Sequence, residues 1–328
     1  GSVTVNGGGG TDILRLQVGG TVTLTDTSVT FTGASGSIGL SQIEAAILIG
    51  SANDDVLNAS AFSGLVWLQG LGGNDLLVAS KGTLLSSNSI LDGGDGDDIF
   101  LFVEDGLLDS VRVVGGAGVD TLSFAGHSAL GIPAWTNGVT VDLSIIGSNQ
   151  TVRLGDLSMR LGSEDIENVI GGNGADVLTG NTLDNTFTGG GGSDIIDGQG
   201  GTNTLVETAD AALMFLSNLV LNTDGVIDTL SNIHGARLTG GASANTLNAS
   251  AFSGRTTLSG LGGNDTLRGG TSQDILIGGA GNDTLIGGAG NDWYQFDVDE
   301  ALGEDTIDEA SGLGGGSVVL DLATTENV

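Results

Sequence analysis

The residues best suited to chemistry in this sequence are aspartates that recur every nine residues behind glycine-rich corners. Residues 260–295 read as four consecutive units, GLGGNDTLR, GGTSQDILI, GGAGNDTLI and GGAGNDWYQ, with aspartate at position six of each. Calcium takes roughly six to eight oxygen ligands from carboxylates and backbone carbonyls. Glycine adopts positive φ at little steric cost, so such corners can turn sharply and direct carbonyls to one point. The pattern predicts calcium ligands at Asp265, Asp274, Asp283 and Asp292.

The residues that follow each aspartate must form the element that positions it. Positions seven to nine predict a short strand whose side chains alternate between two faces, so position eight points inwards. The residues of this inward stripe are Leu267, Leu276, Leu285 and Tyr294. Two units then make one coil, and alternate units stack as parallel strands about 4.8 Å apart. We therefore expect an ion between stacked turns. The expected aspartate pairs are Asp265 with Asp283 on one side, and Asp274 with Asp292 on the other.

The unit G-G-x-G-x-D-x-U-x resembles the calcium-binding nonapeptide of the repeats-in-toxin (RTX) family. The resemblance implies an all-β fold, a right-handed parallel β-roll or β-solenoid with calcium-binding nonapeptide turns and irregular longer coils between the repeat arrays. It also implies several bound Ca²⁺ ions. The glycines that the resemblance places in metal-binding turns are Gly171, Gly174, Gly189, Gly260, Gly269, Gly278, Gly279, Gly281, Gly287, Gly288 and Gly290.

Further units precede this array at wider spacing. They cover residues 7–15, 50–58, 70–78, 93–101 and 115–123, and their position-six residues are Asp12, Asp55, Asp75, Asp98 and Asp120. The spacings after Asp55 indicate longer coils with one metal turn each, which predicts a one-sided ladder from Asp55 to Asp120. The opposite turn at Ala59–Gly64 is expected to be wider and free of metal. Alternating Val, Thr and Leu from Leu16 to Phe31 predict exposed-edge or solenoid strands. Residues 124–164 are the least regular part of the sequence, and the resemblance is silent on ligands there.

A second array, residues 171–206, alternates between aspartate and asparagine at position six. Because alternate units share a side, Asp176 and Asp194 lie on one edge, and Asn185 and Asn203 on the other. An amide oxygen can coordinate a cation but brings no charge. We therefore expect metal beside the two aspartates and weak or no binding beside the two asparagines.

An internal duplication relates residues 40–78 to residues 230–268 at a constant offset of 190. It places Asn245 in the position of Asp55, which weakens that site, and it places His234 in the position of Glu44. A looser third copy gives Glu167 the same slot, for which we expect a strand-edge or inter-coil role. The predicted modules are 3–123, 124–206 ending in its array, 207–295 ending in the array 260–295, and 296–328 as the start of a truncated module.

Composition limits the function classes. The 328 residues include 61 glycines, 40 acidic residues and 8 basic residues, with a net charge of −32 and no cysteine. So much uncompensated charge predicts a calcium-free chain that is largely disordered, with metal binding driving folding. The shortage of basic residues argues against nucleic acid, anionic membranes and polyanionic substrates. No apolar run approaches the ~20 residues of a membrane span, and the lack of cysteine suits a secreted protein that relies on metal instead of disulfides.

Two functions stay open from the sequence. One is a calcium-binding structural segment of a large secreted or cell-surface protein, such as an adhesin stalk or surface-layer component. The resemblance implies type I secretion of the unfolded chain and folding on extracellular calcium. The alternative is the calcium-dependent folding and secretion module of a secreted hydrolase whose catalytic domain lies elsewhere. We expect no enzymatic activity from this chain, since a lyase-type cleft needs more than two His, one Tyr and one Lys.

The outward residues suggest weaker alternatives. Position seven of the last array reads Thr266, Ile275, Thr284 and Trp293, which is too mixed for a flat ice-binding row. Trp67 and Trp293 are expected to point outwards, where they would pack against a neighbour or stack on sugar rings. The expected partners are calcium, neighbouring solenoid modules of the parent protein and, if chains associate side by side, other copies of this chain.

Overall fold

The computed structural model describes residues 3–32, 36–80, 89–104, 109–153, 157–223, 225–297, 303–308 and 319–323. The chain divides into two compact units, Gly1–Asn181 and Thr182–Val328. The division falls inside the second repeat array, and the four modules expected from the sequence stay predictions. Strands dominate both units and most of them pair in parallel, which confirms the predicted all-β architecture. Among the described residues, no helix is long and apolar enough to cross a membrane.

The strands of the first unit are numbered in chain order. They are β1 (Val3–Asn6), β2 (Ile13–Gln17), β3 (Thr21–Thr25), β4 (Ser28–Phe31), β5 (Ser37–Ser41), β6 (Ala45–Ile49), β7 (Val56–Ala61), β8 (Leu65–Gly72), β9 (Leu76–Val78), β10 (Ser89–Asp95), β11 (Ile99–Leu101), β12 (Asp109–Ala117), β13 (Thr121–Ser123), β14 (Thr140–Asp142), β15 (Gln150–Arg153), β16 (Leu157–Leu161), β17 (Asn168–Ile170) and β18 (Val177–Thr179). A short 3₁₀ helix spans Ser128–Leu130. One sheet has the order β1-β5-β4-β3-β7-β9-β11-β13-β17, a second has the order β15-β16-β12-β10-β8-β6-β2, and β14 pairs with β18.

The second unit also contains two ladders of mostly parallel strands. Its strands are β19 (Thr186–Thr188), β20 (Ile195–Asp197), β21 (Thr204–Thr208), β22 (Leu213–Ser217), β23 (Val220–Thr223), β24 (Val226–Ser231), β25 (Gly235–Thr239), β26 (Thr246–Ala251), β27 (Arg255–Gly262), β28 (Thr266–Arg268), β29 (Ile275–Ala280), β30 (Thr284–Ile286), β31 (Trp293–Asp297), β32 (Thr306–Ile307) and β33 (Val319–Ala323). One ladder runs β19-β21-β25-β27-β29-β31-β33 and the other runs β20-β24-β23-β22-β26-β28-β30-β32.

The core is the inward stripe of the nonapeptide strands. Leu258, Leu276 and Tyr294 are in register on one ladder, and Leu267 and Leu285 are in register on the other. All five side chains are fully buried, as their inward position predicts. Burying one such side chain contributes about 1.5–3 kcal/mol to stability. Alternate units therefore stack at an interval of eighteen residues, and this interval fixes where each corner lies.

The first unit adds an aromatic cluster in the least regular part of the sequence. Phe102 stacks on Phe124 with ring centroids 5.2 Å apart, and Phe124 contacts Trp135 edge-on at 5.4 Å. The indole N–H of Trp135 donates to the carbonyl of Phe102 at 2.9 Å, so the buried ring has its polar atom satisfied. Nearby, Arg153 forms an ion pair with Glu104. Hydrogen bonds from Asn137, Thr136 and Arg153 outweigh the opposing effect of burial and lower the pKa of Glu104 to about 2.

An antiparallel meander interrupts one parallel ladder in each unit. In the first unit β3 pairs antiparallel with β4, and β4 pairs antiparallel with β5, so part of the segment Leu16–Phe31 is a hairpin and not a solenoid coil. In the second unit β22, β23 and β24 form the same arrangement. The duplication thus extends upstream of residues 40–78. Alternating hydrophobicity predicts strands but does not choose their partners. Here, two-residue links after β3 and β22 favour hairpins.

Candidate metal centres

The glycine at position one of a unit faces the carboxylate of its own aspartate. A Cβ at Gly260 would overlap the Oδ2 atom of Asp265 and would lie 2.6 Å from the carbonyl oxygen of Gly278. Only glycine leaves this space open. At position four glycine is needed for its backbone conformation. Gly281, at position four of the next stacked unit, has φ 135°, which residues with a Cβ disfavour. The corner therefore holds a small space lined by oxygen atoms.

Aspartates of the first unit form a hydrogen-bonded ladder along one edge. The backbone N–H of Asp55 donates to Oδ1 of Asp75 at 2.7 Å, that of Asp75 to Asp98 at 2.8 Å, and that of Asp98 to Asp120 at 2.9 Å. Each carboxylate thus accepts the N–H of the aspartate one coil earlier. The one-sided stacking expected from the spacing is present.

The array 260–295 carries such ladders on both edges. Asp265 donates its N–H to Oδ1 of Asp283 at 2.8 Å, and Asp274 donates to Oδ1 of Asp292 at 2.9 Å. The first edge continues through the N–H of Asp283 to Oδ1 of Asp305 at 2.9 Å. Both expected pairs are therefore stacked, and in Asp265 and Asp283 Oδ2 is the oxygen left to face the corner.

Several of these Oδ2 atoms are buried without a partner. Within the part of the chain that the structure describes, buried Oδ2 atoms that accept no hydrogen bond belong to Asp12, Asp75, Asp98, Asp120, Asp265 and Asp283. Buried polar atoms are nearly always satisfied, so each exception needs a physical reason. A cation in the oxygen-lined corner would supply one, and the donors present, carboxylate and carbonyl oxygens, are those that Ca²⁺ prefers.

The pKa values of these carboxylates reflect the energetic cost of burying a charged group. Burial raises the pKa of Asp75 and of Asp120 to about 7, and that of Asp98 to about 6, although backbone hydrogen bonds oppose the rise. Neighbouring carboxylates add to the effect, Asp98 for both Asp75 and Asp120. Burial likewise raises the pKa of Asp265 to about 6. A bound divalent cation would favour the charged forms that burial disfavours.

The corners combine side-chain and backbone oxygens. In the described residues no three His, Cys, Asp or Glu side chains converge on one point. The oxygens that converge beside Gly260 are one carboxylate and one carbonyl, and beside Gly93 they are Oδ2 of Asp98 and the carbonyl of Gly115. Any ion held there would depend on backbone carbonyls from successive coils, and hence on the stacking of those coils.

Comparison with protein families matches the RTX calcium-binding nonapeptide repeat in four copies, at residues 85–102, 162–205 and 259–294. The chain carries RTX repeats. RTX nonapeptides are calcium-binding structural repeats and not a catalytic family. No curated protein matches the chain.

The corners of the nonapeptide units fall into two classes that the spacing alone does not distinguish. In an open corner, positions two and four both have positive φ, as at Gly279 and Gly281 or at Leu261 and Gly263. The aspartates of open corners are Asp12, Asp75, Asp98, Asp120, Asp194, Asp265, Asp283 and Asp292. In a closed corner neither position has positive φ. The N–H of position two then donates to the residue at position six.

Three predicted ligands lie in closed corners. In Asp55, Oδ2 accepts the backbone N–H of Ser51 at 2.6 Å. In Asp176 it accepts the N–H of Gly172 at 2.9 Å, and in Asp274 it accepts the N–H of Gly270 at 2.7 Å. Oδ1 of each also accepts a backbone N–H, from Gly20, Val139 and Thr256 respectively. Both oxygens are therefore engaged within the protein. The closed turns read GSAN, GGNG and GGTS at positions one to four. The first and third lack glycine at position four; the second has it, so composition alone does not define the class.

Two asparagines at position six, Asn203 and Asn245, satisfy their corners internally. The amide Nδ2 of Asn203 donates to the carbonyls of Gly200 at 2.9 Å and Asn232 at 3.0 Å. In the closed corner of Asn245, Oδ1 accepts from Gly241 and Nδ2 donates to the carbonyl of Ala211 at 2.8 Å. An N–H donor thus meets the carbonyls that a cation would meet beside aspartate. Asp176 lies in the first compact unit of the chain and Asp194 lies in the second. Their pairing on one edge therefore stays a prediction.

Ladder positions between the arrays are filled by residues that are not in nonapeptides. Oε2 of Glu44 accepts the N–H of Asp12 at 2.9 Å, and Oε2 of Glu167 accepts that of Asp120 at 2.8 Å. His234 uses Nδ1 to accept the N–H of Asn203 at 3.2 Å. This is an inter-coil contact, as the shared sequence slot predicts.

Two further acidic residues lie near Asp194 and were not predicted. The N–H of Asp194 donates to Oδ1 of Asp228 at 2.9 Å. Glu207 points inwards from β21, and burial, with contributions from the charges of Asp228 and Asp194, raises the pKa of Glu207 to about 7. No nonapeptide period marks either residue, so only the fold brings them to the corner.

Proposed function

We propose that this chain is a calcium-binding structural β-solenoid segment of a large secreted or cell-surface protein, of the adhesin-stalk or surface-layer type. Its open corners hold Ca²⁺, with Oδ2 of the position-six aspartate and carbonyl oxygens of stacked turns as donors. The observation that carries the proposal is the row of buried Oδ2 atoms without partners beside those carbonyls. Calcium supplies charge compensation there.

The same burial supports folding that depends on calcium. Without a cation, the ladders hold like charges in neighbouring coils, and the net charge of −32 adds repulsion across the chain. Each ion that binds only the folded state stabilises it by mass action. We infer that the chain stays unfolded during type I export, where free calcium is scarce, and folds in the extracellular medium, where it is abundant.

The role is structural and not catalytic. Position-six carboxylates accept backbone N–H groups through Oδ1, which ties each coil to the next and gives these side chains a structural role. Trp67 and Trp293 are 38% and 40% exposed, so they are available to neighbouring modules of a parent protein or to a second copy of the chain.

A calcium titration followed by far-ultraviolet circular dichroism tests the proposal. We expect a disordered spectrum in chelator at neutral pH, a cooperative gain of β-structure as calcium is added, and full reversal on chelation. Magnesium serves as the control, because it demands a tighter octahedral geometry and keeps its waters. A spectrum that is equally β-rich in chelator would remove the role of calcium in folding.

A further inference from the structure

A basic groove lies on the outer face of the second unit, and none of its lining residues is a position-six aspartate. It is a cavity of about 390 Å³, within the range of small-ligand sites. The lining residues that matter here are Thr204, His234, Gly235, Arg237, Arg255 and Thr257. They belong to β21, β25 and β27 or precede these strands directly.

The groove exists because one outward position carries no side chain. Gly235 is in register with Thr204 on one neighbouring strand and with Arg255 on the other. A Cβ at Gly235 would meet only ordinary contacts, 3.5 Å to the carbonyl of Arg255 and 3.6 Å to Oγ1 of Thr204. The backbone does not require glycine here, because φ is not positive. The missing side chain therefore opens space between two polar neighbours.

The groove concentrates positive charge in an acidic protein. Arg237 and Arg255 are two of the eight basic residues in the chain, and both are exposed on adjacent strands. Among the described residues, neither guanidinium forms an ion pair with a carboxylate. Beside them, Nδ1 of His234 accepts the N–H of Asn203, so the neutral ring carries its proton on Nε2 as a donor. The groove thus offers donors and no charged acceptor among its lining residues.

The internal duplication provides a comparison on the same backbone. The corresponding positions of the two copies are Glu44 and His234, Ala45 and Gly235, Ile47 and Arg237, Leu65 and Arg255, and Trp67 and Thr257. The first copy is therefore acidic and apolar where the second is basic and polar. Strand register is the same in both copies, so folding does not demand these cations.

We propose that this groove binds the carboxylate of an acidic saccharide. Two guanidinium groups provide planar forks of N–H donors that match a carboxylate. The hydroxyls of Thr204 and Thr257 can exchange hydrogen bonds with sugar hydroxyls. Along the same outward row, Thr257 is followed by Ile275 and then Trp293, which offer apolar surface to sugar rings. The large negative net charge disfavours ligands of high charge density, so a saccharide with isolated carboxylates fits better than a polyphosphate.

The inference does not depend on the calcium assignment beyond the need for a folded chain. None of the groove residues named here is a position-six aspartate. Failure of saccharide binding in a calcium-folded chain would leave the calcium proposal intact. Failure to fold with calcium would be seen separately by circular dichroism.

Ligand-observed NMR titration of the full chain in calcium with glucuronate tests the site. For a ligand of this size we expect a dissociation constant on the order of 1 mM. Arg237→Gln and Arg255→Gln should each weaken binding about tenfold, since each removes one charge-assisted contact. Gly235→Val should abolish binding, because the valine side chain fills the groove without changing its charge. Arg268→Gln, on the other ladder, is the matched control and should bind as the wild type does.

Two further ligands separate the saccharide from a free anion. Glucose keeps the hydroxyls without the carboxylate, and sulfate keeps an anion without the ring. Binding of glucuronate that exceeds both by about tenfold supports the proposal. Equal binding of glucuronate and sulfate overturns the saccharide assignment. Equal binding by the wild type, Arg255→Gln and Gly235→Val overturns the site itself.

Discussion

Replacing Asp265 with asparagine should change stability in opposite directions with and without calcium. Asp265 lies in an open corner: Oδ1 accepts the N–H of Asn245 at 2.7 Å, and Oδ2 is buried without a partner. Asparagine keeps the shape and the acceptor at Oδ1 but removes the charge. If the carboxylate binds calcium, the substitution loses a site. If no ion is present, it removes a buried charge.

The magnitudes follow from the surroundings of the carboxylate. A pKa that rises from 3.8 to about 6 corresponds to at most about 3 kcal/mol of destabilisation by the charged form at neutral pH. Screening by water at the turn reduces this to roughly 1 kcal/mol. An ion present at 100 times its dissociation constant stabilises by about 2.7 kcal/mol. Asp265→Asn should therefore stabilise the calcium-free chain by roughly 1 kcal/mol and destabilise the calcium-loaded chain by roughly 2 kcal/mol.

Urea denaturation in saturating calcium measures the loss. The gain is measured in chelator with trimethylamine N-oxide added until part of the chain is folded, since this osmolyte favours burial. Asp274→Asn is the matched control in the same array, because its closed corner engages both oxygens with N–H donors. An amide NH₂ facing an N–H should destabilise that variant in both conditions. Equal destabilisation by Asp265→Asn with and without calcium would refute the assignment of the open corner to metal.

Two further predictions concern an asparagine corner and pH. Asn203→Asp should add one bound calcium per chain in a calorimetric titration. It should also lower stability in chelator, because the donors to the carbonyls of Gly200 and Asn232 are lost. An unchanged calcium stoichiometry would contradict this prediction. In chelator, lowering the pH from 7.5 to 5.5, above the isoelectric point of about 4.1, should increase β-structure measured by circular dichroism. Burial raises the pKa of Asp75 and Asp120 to about 7 from 3.8, so the folded chain binds more protons than the unfolded chain between these values. The stability of the folded chain is therefore highest at low pH and falls as the pH rises through this range. A β-structure content that does not change with pH would count against buried, uncompensated carboxylates.

The nonapeptide pattern determined the local structure of the corners and strands. It predicted the stacking of Asp265 on Asp283, the ladder from Asp55 to Asp120 and the buried stripe that ends at Tyr294. These features are local, because the turn and strand of each unit depend on neighbouring residues. A recurring nonapeptide is therefore enough to set them, both at the interval of eighteen residues in the last array and at the wider spacings from Asp55 to Asp120.

The tertiary structure decided which residues complete the ladders and which corners are open. Glu44 and Glu167 reach Asp12 and Asp120 across 32 and 47 residues, and the antiparallel meanders depend on which strand lies next along the ladder. Whether the N–H of position two turns towards the position-six aspartate depends on two φ angles, and Leu261 takes positive φ where Gly270 does not. The groove at Gly235 likewise needs three strands in register. Spacing along the chain fixes what each repeat can form, whereas these contacts require coils already stacked, since burial and hydrogen bonding across coils select them.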